Sequence, residues 1–194
     1  MTRRRPSRPL LAHAAIFALV VLFDQVTKYW ARARFSLPGG EPDYSAHIPV
    51  IGEWLHFRLV YNFGAAFGMQ PQKILPFLHP AAFFTALSAL AVVLFGFYYR
   101  KLGREHAVER LGIVFVLAGA VGNNLLDRPI FHKVTDFIDI GIPGVYPRFP
   151  VFNIADISVC VGIGLLIFIS LFSRGPHSSP SVSAAPSPEN PDAR

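Results

Sequence analysis

The chain has 194 residues, of which 52% are hydrophobic and only 15% charged. A soluble domain usually carries about 25% charged residues, and here the apolar residues gather in four blocks separated by charged or Pro/Gly-rich stretches, the pattern of membrane spans. The net charge of +6 comes from arginines flanking apolar blocks, not from basic runs interleaved with aromatics, so a membrane surface is indicated and nucleic acid is excluded as a partner.

The first apolar block, 10–23, is too short to cross alone, since a span needs about 20 residues. Extended to 10–30 it takes Asp24 and Lys28 into the helix and puts Tyr29 and Trp30 at an interfacial aromatic belt. The rival reading is a cleaved signal peptide with Ala31-Arg32-Ala33 as its cleavage site. That site lies too far past the apolar core, with Asp24, Lys28 and Trp30 between.

The long segment 31–73 follows. Its stretch WLHFRLVYN alternates, with Leu55, Phe57, Leu59 and Tyr61 on one side and His56, Arg58 and Val60 on the other, as a half-buried strand does. A second span is expected at 74–99, with Pro76 and Pro80 in its first turns, where a missing backbone donor costs least. The third, at 111–126, is rich in small residues (Gly112, Ala118, Gly119, Ala120, Gly122) suited to close helix contact. The run KVTDFIDIGI in the next loop, 127–151, is a partner strand, with Asp136 and Phe137 facing opposite ways. The fourth span is expected at 152–172 and carries Gly162, Gly164 and the lone Cys160, read as a packing residue. Residues 174–194, rich in Pro, Ser and Ala, read as a disordered tail.

Orientation follows from Lys and Arg near the spans. With the basic N-terminus (1–9) inside, the inner flanks hold Arg3, Arg4, Arg5, Arg8, Arg100, Lys101, Arg104, Arg110 and Arg174. The outer loops hold Arg32, Arg34, Arg58, Lys73, Arg128, Lys133 and Arg148, spread over many more residues. Both termini are therefore expected in the cytoplasm. The fold class is an all-α membrane protein of four transmembrane helices with a small β-sheet cradle on the outer, periplasmic face.

In this topology the third helix runs outward to Asp127 and the fourth starts outside with Asp156 in its first turns. Both acids then sit at one depth. Ionisable groups there normally face the protein interior or a water-filled cavity. Two close carboxylates cannot both ionise, so one can take a proton from water while the other donates to a scissile carbonyl. The bland alternative is that both merely sit at helix ends, Asp156 favouring its N-terminus and Asp127 pairing with Arg128; topology alone does not choose. A metal is not expected, because the seven histidines are scattered and no H-E-x-x-H or cysteine cluster exists. No G-x-S-x-G marks a nucleophilic serine. Lys28 stands four residues after Asp24 on one helix face, so an ion pair is its simplest use. A non-catalytic carrier using the acids as an ion site is the competing function, but more spans or repeated broken helices would be expected of it.

Five segments in order, FDQVTK (23–28), NFGAAFG (62–68), GAVGNNLLDRP (119–129), VTDFID (134–139) and VFNIADISV (151–159), resemble the motif set of the lipoprotein signal peptidase (signal peptidase II) family over about 10–173. The resemblance implies a bacterial intramembrane aspartic endopeptidase of the cytoplasmic (inner) membrane. Such an enzyme removes the signal peptide of diacylglyceryl-modified prolipoproteins by cutting before the lipidated cysteine. It implies catalytic acids at Asp127 in GNNLLDR and Asp156 in FNIAD, with Asn62, Asn123, Arg128, Asn153, Asp24 and Lys28 as polar supports and a small outer sheet that cradles substrate. Asp136 is given a supporting role at most, and Asp24–Lys28 an architectural one. Gly64, Ala65 and Ala66 would leave room for a peptide, and Asn153 is also a good N-cap. No metal or organic cofactor is implied. The expected partners are lipid-modified prolipoproteins and membrane lipids, and the chain is expected to act as a monomer. Departures from the pattern are Ala118 for a common Gly, Thr135 for a usual Val, and Phe149 before Pro150 for a frequent Trp.

Overall fold

The computed structural model describes residues 8–64, 79–145 and 148–172. Four helical rods in it are long and apolar enough to cross a membrane: Pro9–Phe35, Pro80–Lys101, Ala107–Phe131 and Ile154–Phe172. We label the helices α1 (Arg8–Phe35), α2 (Pro80–Lys101), α3 (Ala107–Ala120), α4 (Arg128–Phe131) and α5 (Ile154–Phe172). A π-helical turn, Val121–Asp127, joins α3 to α4 without a break in the rod.

The first rod continues past the expected end at Trp30 to Phe35. There Ala31 and Phe35 are buried under the sheet, so packing carries the helix beyond its lipid-facing length. The second begins at Pro80, capped by His79, whose Nδ1 accepts from the Ala81 N–H at 3.3 Å. Residues 65–78, which include Ala65, Ala66 and Pro76, lie outside the described residues. Leu19, Leu22, Phe23, Leu90, Leu94, Phe97, Ile167 and Phe168 are exposed on the rods, which suits a hydrocarbon surround and not water.

The third rod is central and touches α1, α2 and α5. Its small residues let α5 approach closely. A Cβ on Gly162 would stand 2.6 Å from the Gly112 carbonyl oxygen. A Cβ on Gly119 would collide with the Ala155 backbone and with Val159. Helices without side chains at the contact gain van der Waals packing along the backbone, the driving force available in lipid.

Three antiparallel strands, β1 (Ile48–Ile51), β2 (Leu55–Asn62) and β3 (Val134–Ile140), form a sheet in the order β1-β2-β3. β2 and β3 are the two strands expected from the sequence; β1, which contains Pro49 and lies at an edge, was not. Between Phe57 and Val60 the β2–β3 register shifts, so Phe57 faces Ile138 and Val60 faces Asp136. This one-residue bulge bends the strand. Leu59, Phe137 and Ile138 close a core against Ala31 and Phe35, with Trp30 edge-on to Phe35, Phe57 and Phe137. Backbone bonds from the Ile138 N–H to the Phe152 carbonyl (2.8 Å) and from the Phe152 N–H back (3.1 Å) tie β3 to the residue just ahead of α5. That tie brings the start of α5 beside Asp136.

Candidate active site

Polar residues from α1, the π turn, β2, β3 and the start of α5 meet where the sheet joins the helices. From α1, Asp24 and Lys28 are fully buried. The Lys28 ammonium lies 2.9 Å from Asp24 and 3.3 Å from Asp127, and donates to Asn123 Oδ1 at 2.5 Å. Asp24 Oδ1 also accepts from the Ala155 N–H at 2.9 Å, an orphan donor of the first turn of α5. One cation thus serves two fully buried carboxylates. The i, i+4 pair expected of Asp24 and Lys28 exists and extends to a third group that sequence spacing does not reveal.

The π turn widens the helix where Asn123, Asn124 and Asp127 must project together. Asp127 is fully buried. Its Oδ1 accepts from Gln25 at 3.2 Å, and its Oδ2 accepts from the Thr135 N–H at 3.0 Å beside Lys28. Arg128 does not pair with it. Its Nε donates to Asn124 Oδ1 at 2.7 Å and its terminal nitrogens donate to the carbonyls of Phe63 and Gly64, so this buried guanidinium fastens the end of β2 to the third rod.

Asp156 is partly exposed in the first turn of α5. Asn123 Nδ2 donates to its Oδ1 at 2.8 Å, and the Asn153 N–H donates to its Oδ2 at 3.0 Å. Asn153 is the N-cap expected of it: its Oδ1 accepts from the Asp156 N–H at 3.0 Å. The two residues form a reciprocal capping box, with Asp in the place of the usual Glu or Gln.

Asn153 also reaches the other way. Its Nδ2 lies 2.6 Å from Asp136 Oδ1, 3.1 Å from Asn123 Oδ1 and 3.3 Å from the Thr135 carbonyl oxygen. The second oxygen of Asp136 accepts from Asn62 Nδ2 at 3.2 Å, while Asn62 Oδ1 accepts from the Gly64 N–H. Burial lifts the Asp136 carboxyl to about 7, and the charge of Asp156 adds to the rise. The bonds from Asn62 and Asn153 and the charge of Lys28 oppose it.

Asp127 and Asp156, expected as the catalytic pair, both reach this cluster and are linked through Asn123: its Nδ2 donates to Asp156 Oδ1 at 2.8 Å, and its Oδ1 accepts from the Lys28 ammonium that lies 3.3 Å from Asp127. Asp136, expected in a supporting role, stands on the other side of Asn153 from Asp156. Asp139, the other strand-borne acid, is held by Arg58 at 2.7 Å and Arg148 at 3.7 Å. Gln25 was missed. It bridges Asp24, Asp127 and the Gly122 carbonyl, and its signal was its place between Asp24 and Lys28 in an apolar helix. Among the described residues no group of three or more His, Cys, Asp or Glu side chains is arranged to hold a metal ion.

Residues 16–172 match the family described as Signal peptidase (SPase) II. The lipoprotein signal peptidase of Moorella thermoacetica is 34% identical over 157 residues, covering 81% of this chain and 91% of that protein. Those of Acaryochloris marina and Teredinibacter turnerae are 37% and 38% identical, covering 81% and 79% of this chain and 88% and 83% of theirs. Two solved structures, each described as a bacterial membrane enzyme, superpose with TM-scores of 0.70 and 0.68 at 28% and 30% identity. They cover 87% and 84% of this chain, and 94% of each of those chains. With its four membrane-spanning rods and three-stranded sheet, the chain belongs to the signal peptidase II family and is a multi-pass membrane protease.

Proposed function

We propose that this protein removes the signal peptide from diacylglyceryl-modified prolipoproteins, cutting before the lipidated cysteine, and that Asp136 and Asp156 carry the chemistry. The observation that carries this reading is Asn153, which bonds one carboxyl through its side chain and the other through its backbone N–H. Relatives named lipoprotein signal peptidase support the substrate class.

The two acids share one proton in the working state. The carboxylate takes a proton from water as its oxygen attacks the scissile carbonyl carbon. The protonated partner donates to the carbonyl oxygen, giving a tetrahedral diol. The C–N bond then breaks as the amide nitrogen takes the proton that came from water, and the diol returns its own to the second acid. The pair titrates as a unit, so neither acid holds a fixed role. Asn123, Asn153 and Asn62 hold the carboxyls; Lys28 holds Asn123 and Asp127; Arg128 holds the end of β2. The density of basic residues around the inner flanks supports an inner-membrane orientation with both termini cytoplasmic. The sheet and the acids then lie at the outer, periplasmic face.

The test is cleavage of a diacylglyceryl-modified prolipoprotein by purified variants. Asp136→Asn and Asp156→Asn should remain folded and lower the rate at least about a hundredfold. Normal cleavage by Asp136→Asn, with none by a folded Asp127→Asn, would return the second acid to Asp127.

A further inference from the structure

The start of α2 lies beside the acid cluster, where the Thr85 hydroxyl donates to the Asn124 carbonyl at 2.9 Å. Its other end is far away. A helix rises about 1.5 Å per residue, which puts Arg100 about 30 Å along the rod from Pro80. That is the thickness of a hydrocarbon core. Arg100 therefore stands at the membrane surface opposite the acids.

A groove of about 280 Å³ runs along this far end, lined by Val92, Val93, Gly96, Phe97 and Arg100. Four of its five lining residues are apolar, and Val93 and Phe97 are more than half exposed. The groove exists because position 96 has no side chain. A Cβ there would meet nothing within 4 Å, so no neighbouring rod fills the notch.

Arg100 and Lys101 are exposed in the last turn of α2, and Arg104 is exposed in the turn that follows. Among the described residues no carboxylate pairs with any of the three. The nearby acids are engaged elsewhere. Glu109 accepts from the Tyr98 hydroxyl and lies 3.1 Å from His106, and Glu105 lies 3.7 Å from His106. Arg110 is spent on the Tyr99 ring, 4.3 Å from its centre. The carbonyl end of a helix favours cations, which accounts for Arg100 and Lys101 but not for Arg104 or for the groove.

We propose that an anionic phospholipid docks here, with one acyl chain in the groove at Gly96 and its phosphate on Arg100, flanked by Lys101 and Arg104. Hydrocarbon chains are what a bilayer presents to an apolar notch, and unpaired cations at headgroup depth favour lipids of negative charge. A zwitterionic lipid offers the same chain without the net charge. The site is independent of the acid pair, which lies at the other end of the rod.

The experiment titrates the full-length protein in detergent micelles with dioleoyl phosphatidylglycerol or dioleoyl phosphatidylcholine, and reads bound lipid by native mass spectrometry. The parent should hold one phosphatidylglycerol at least about tenfold tighter than phosphatidylcholine. Arg100→Gln should weaken phosphatidylglycerol about fivefold, and the triple variant with Lys101→Gln and Arg104→Gln about a hundredfold, both leaving phosphatidylcholine unchanged. Gly96→Leu fills the notch and should weaken both lipids at least about fivefold. Gly164→Leu adds the same side chain at an open position on α5 and should change neither. Equal affinity of the parent for the two lipids overturns the proposal. So does parent-like binding by Gly96→Leu, which would leave a charged patch with no place for a chain. An equal loss in Gly164→Leu also overturns it, because the lipid would then be a general surround. If Gly96→Leu fails to fold, Val93→Phe closes the same groove and decides the point in the same way.

Discussion

Asn153 and Asp156 bond each other twice, backbone N–H to carboxylate and backbone N–H to side-chain amide oxygen, both at 3.0 Å. A helix start is thereby also the mount for an acid of the proposed pair. The same asparagine spends its Nδ2 on Asp136, so capping and catalysis can be separated by substitution. Asn153→Ser keeps a capping oxygen and loses the amide donor. It should melt within about 1 kcal/mol of the parent while kcat falls about ten- to a hundredfold. Thermal denaturation alongside steady-state cleavage checks this; equal losses in Asn153→Ser and Asn153→Ala stability would show that the cap is not what holds α5.

Lys28 neutralises two fully buried carboxylates. Removing one partner of a buried ion pair leaves an uncompensated charge and costs about 3–5 kcal/mol. Lys28→Met should therefore lower unfolding stability by about that amount. Adding Asp127→Asn should restore part of it, because the second change removes one orphaned charge. Simple addition of the two losses would show that Asp127 does not depend on Lys28.

The Asp136 carboxyl keeps its proton to about 7, against an ordinary value of 3.8. The folded protein therefore binds more protons than the unfolded chain between those values. Stability from this group is greatest below about pH 4 and declines as pH climbs to about 7. Asp136→Asn should abolish that decline and be the more stable form at pH 8. Isotope-edited infrared titration of the Asp136 carboxyl should show a midpoint near 7 that moves down in Asp156→Asn, without returning to the ordinary value, because burial is the larger cause. A midpoint unmoved by Asp156→Asn would mean the two acids do not sense each other.

The contact between the third rod and α5 has no room for a side chain at Gly162, whereas Gly164 opens onto free space. Gly162→Leu should destabilise by about 1–3 kcal/mol or more through overpacking and displace Asp156, lowering activity. Gly164→Leu should leave melting and cleavage unchanged. Matching behaviour of the two variants would place the helix contact elsewhere.

Much of this molecule is legible along the chain. Length and apolarity announce the rods because a bilayer demands about 20 apolar residues per crossing, and period-two alternation in LHFRLVYN announces the central strand. Small residues in the third rod announce a tight helix contact, and the Asn153–Asp156 spacing announces a cap. These are local properties, set by covalent geometry and nearest-neighbour chemistry. The arrangement of the three acids was not local. Asp127, Asp136 and Asp156 are all carboxyls near element ends, and only the long-range tie of Phe152 to Ile138 decides that Asp136 meets Asn153. Likewise, only the crossing of α1 against the π turn turns an i, i+4 pair into a cation shared by Asp24 and Asp127. A charge's partner depends on distance through space, which sequence spacing does not encode once the chain has folded back on itself.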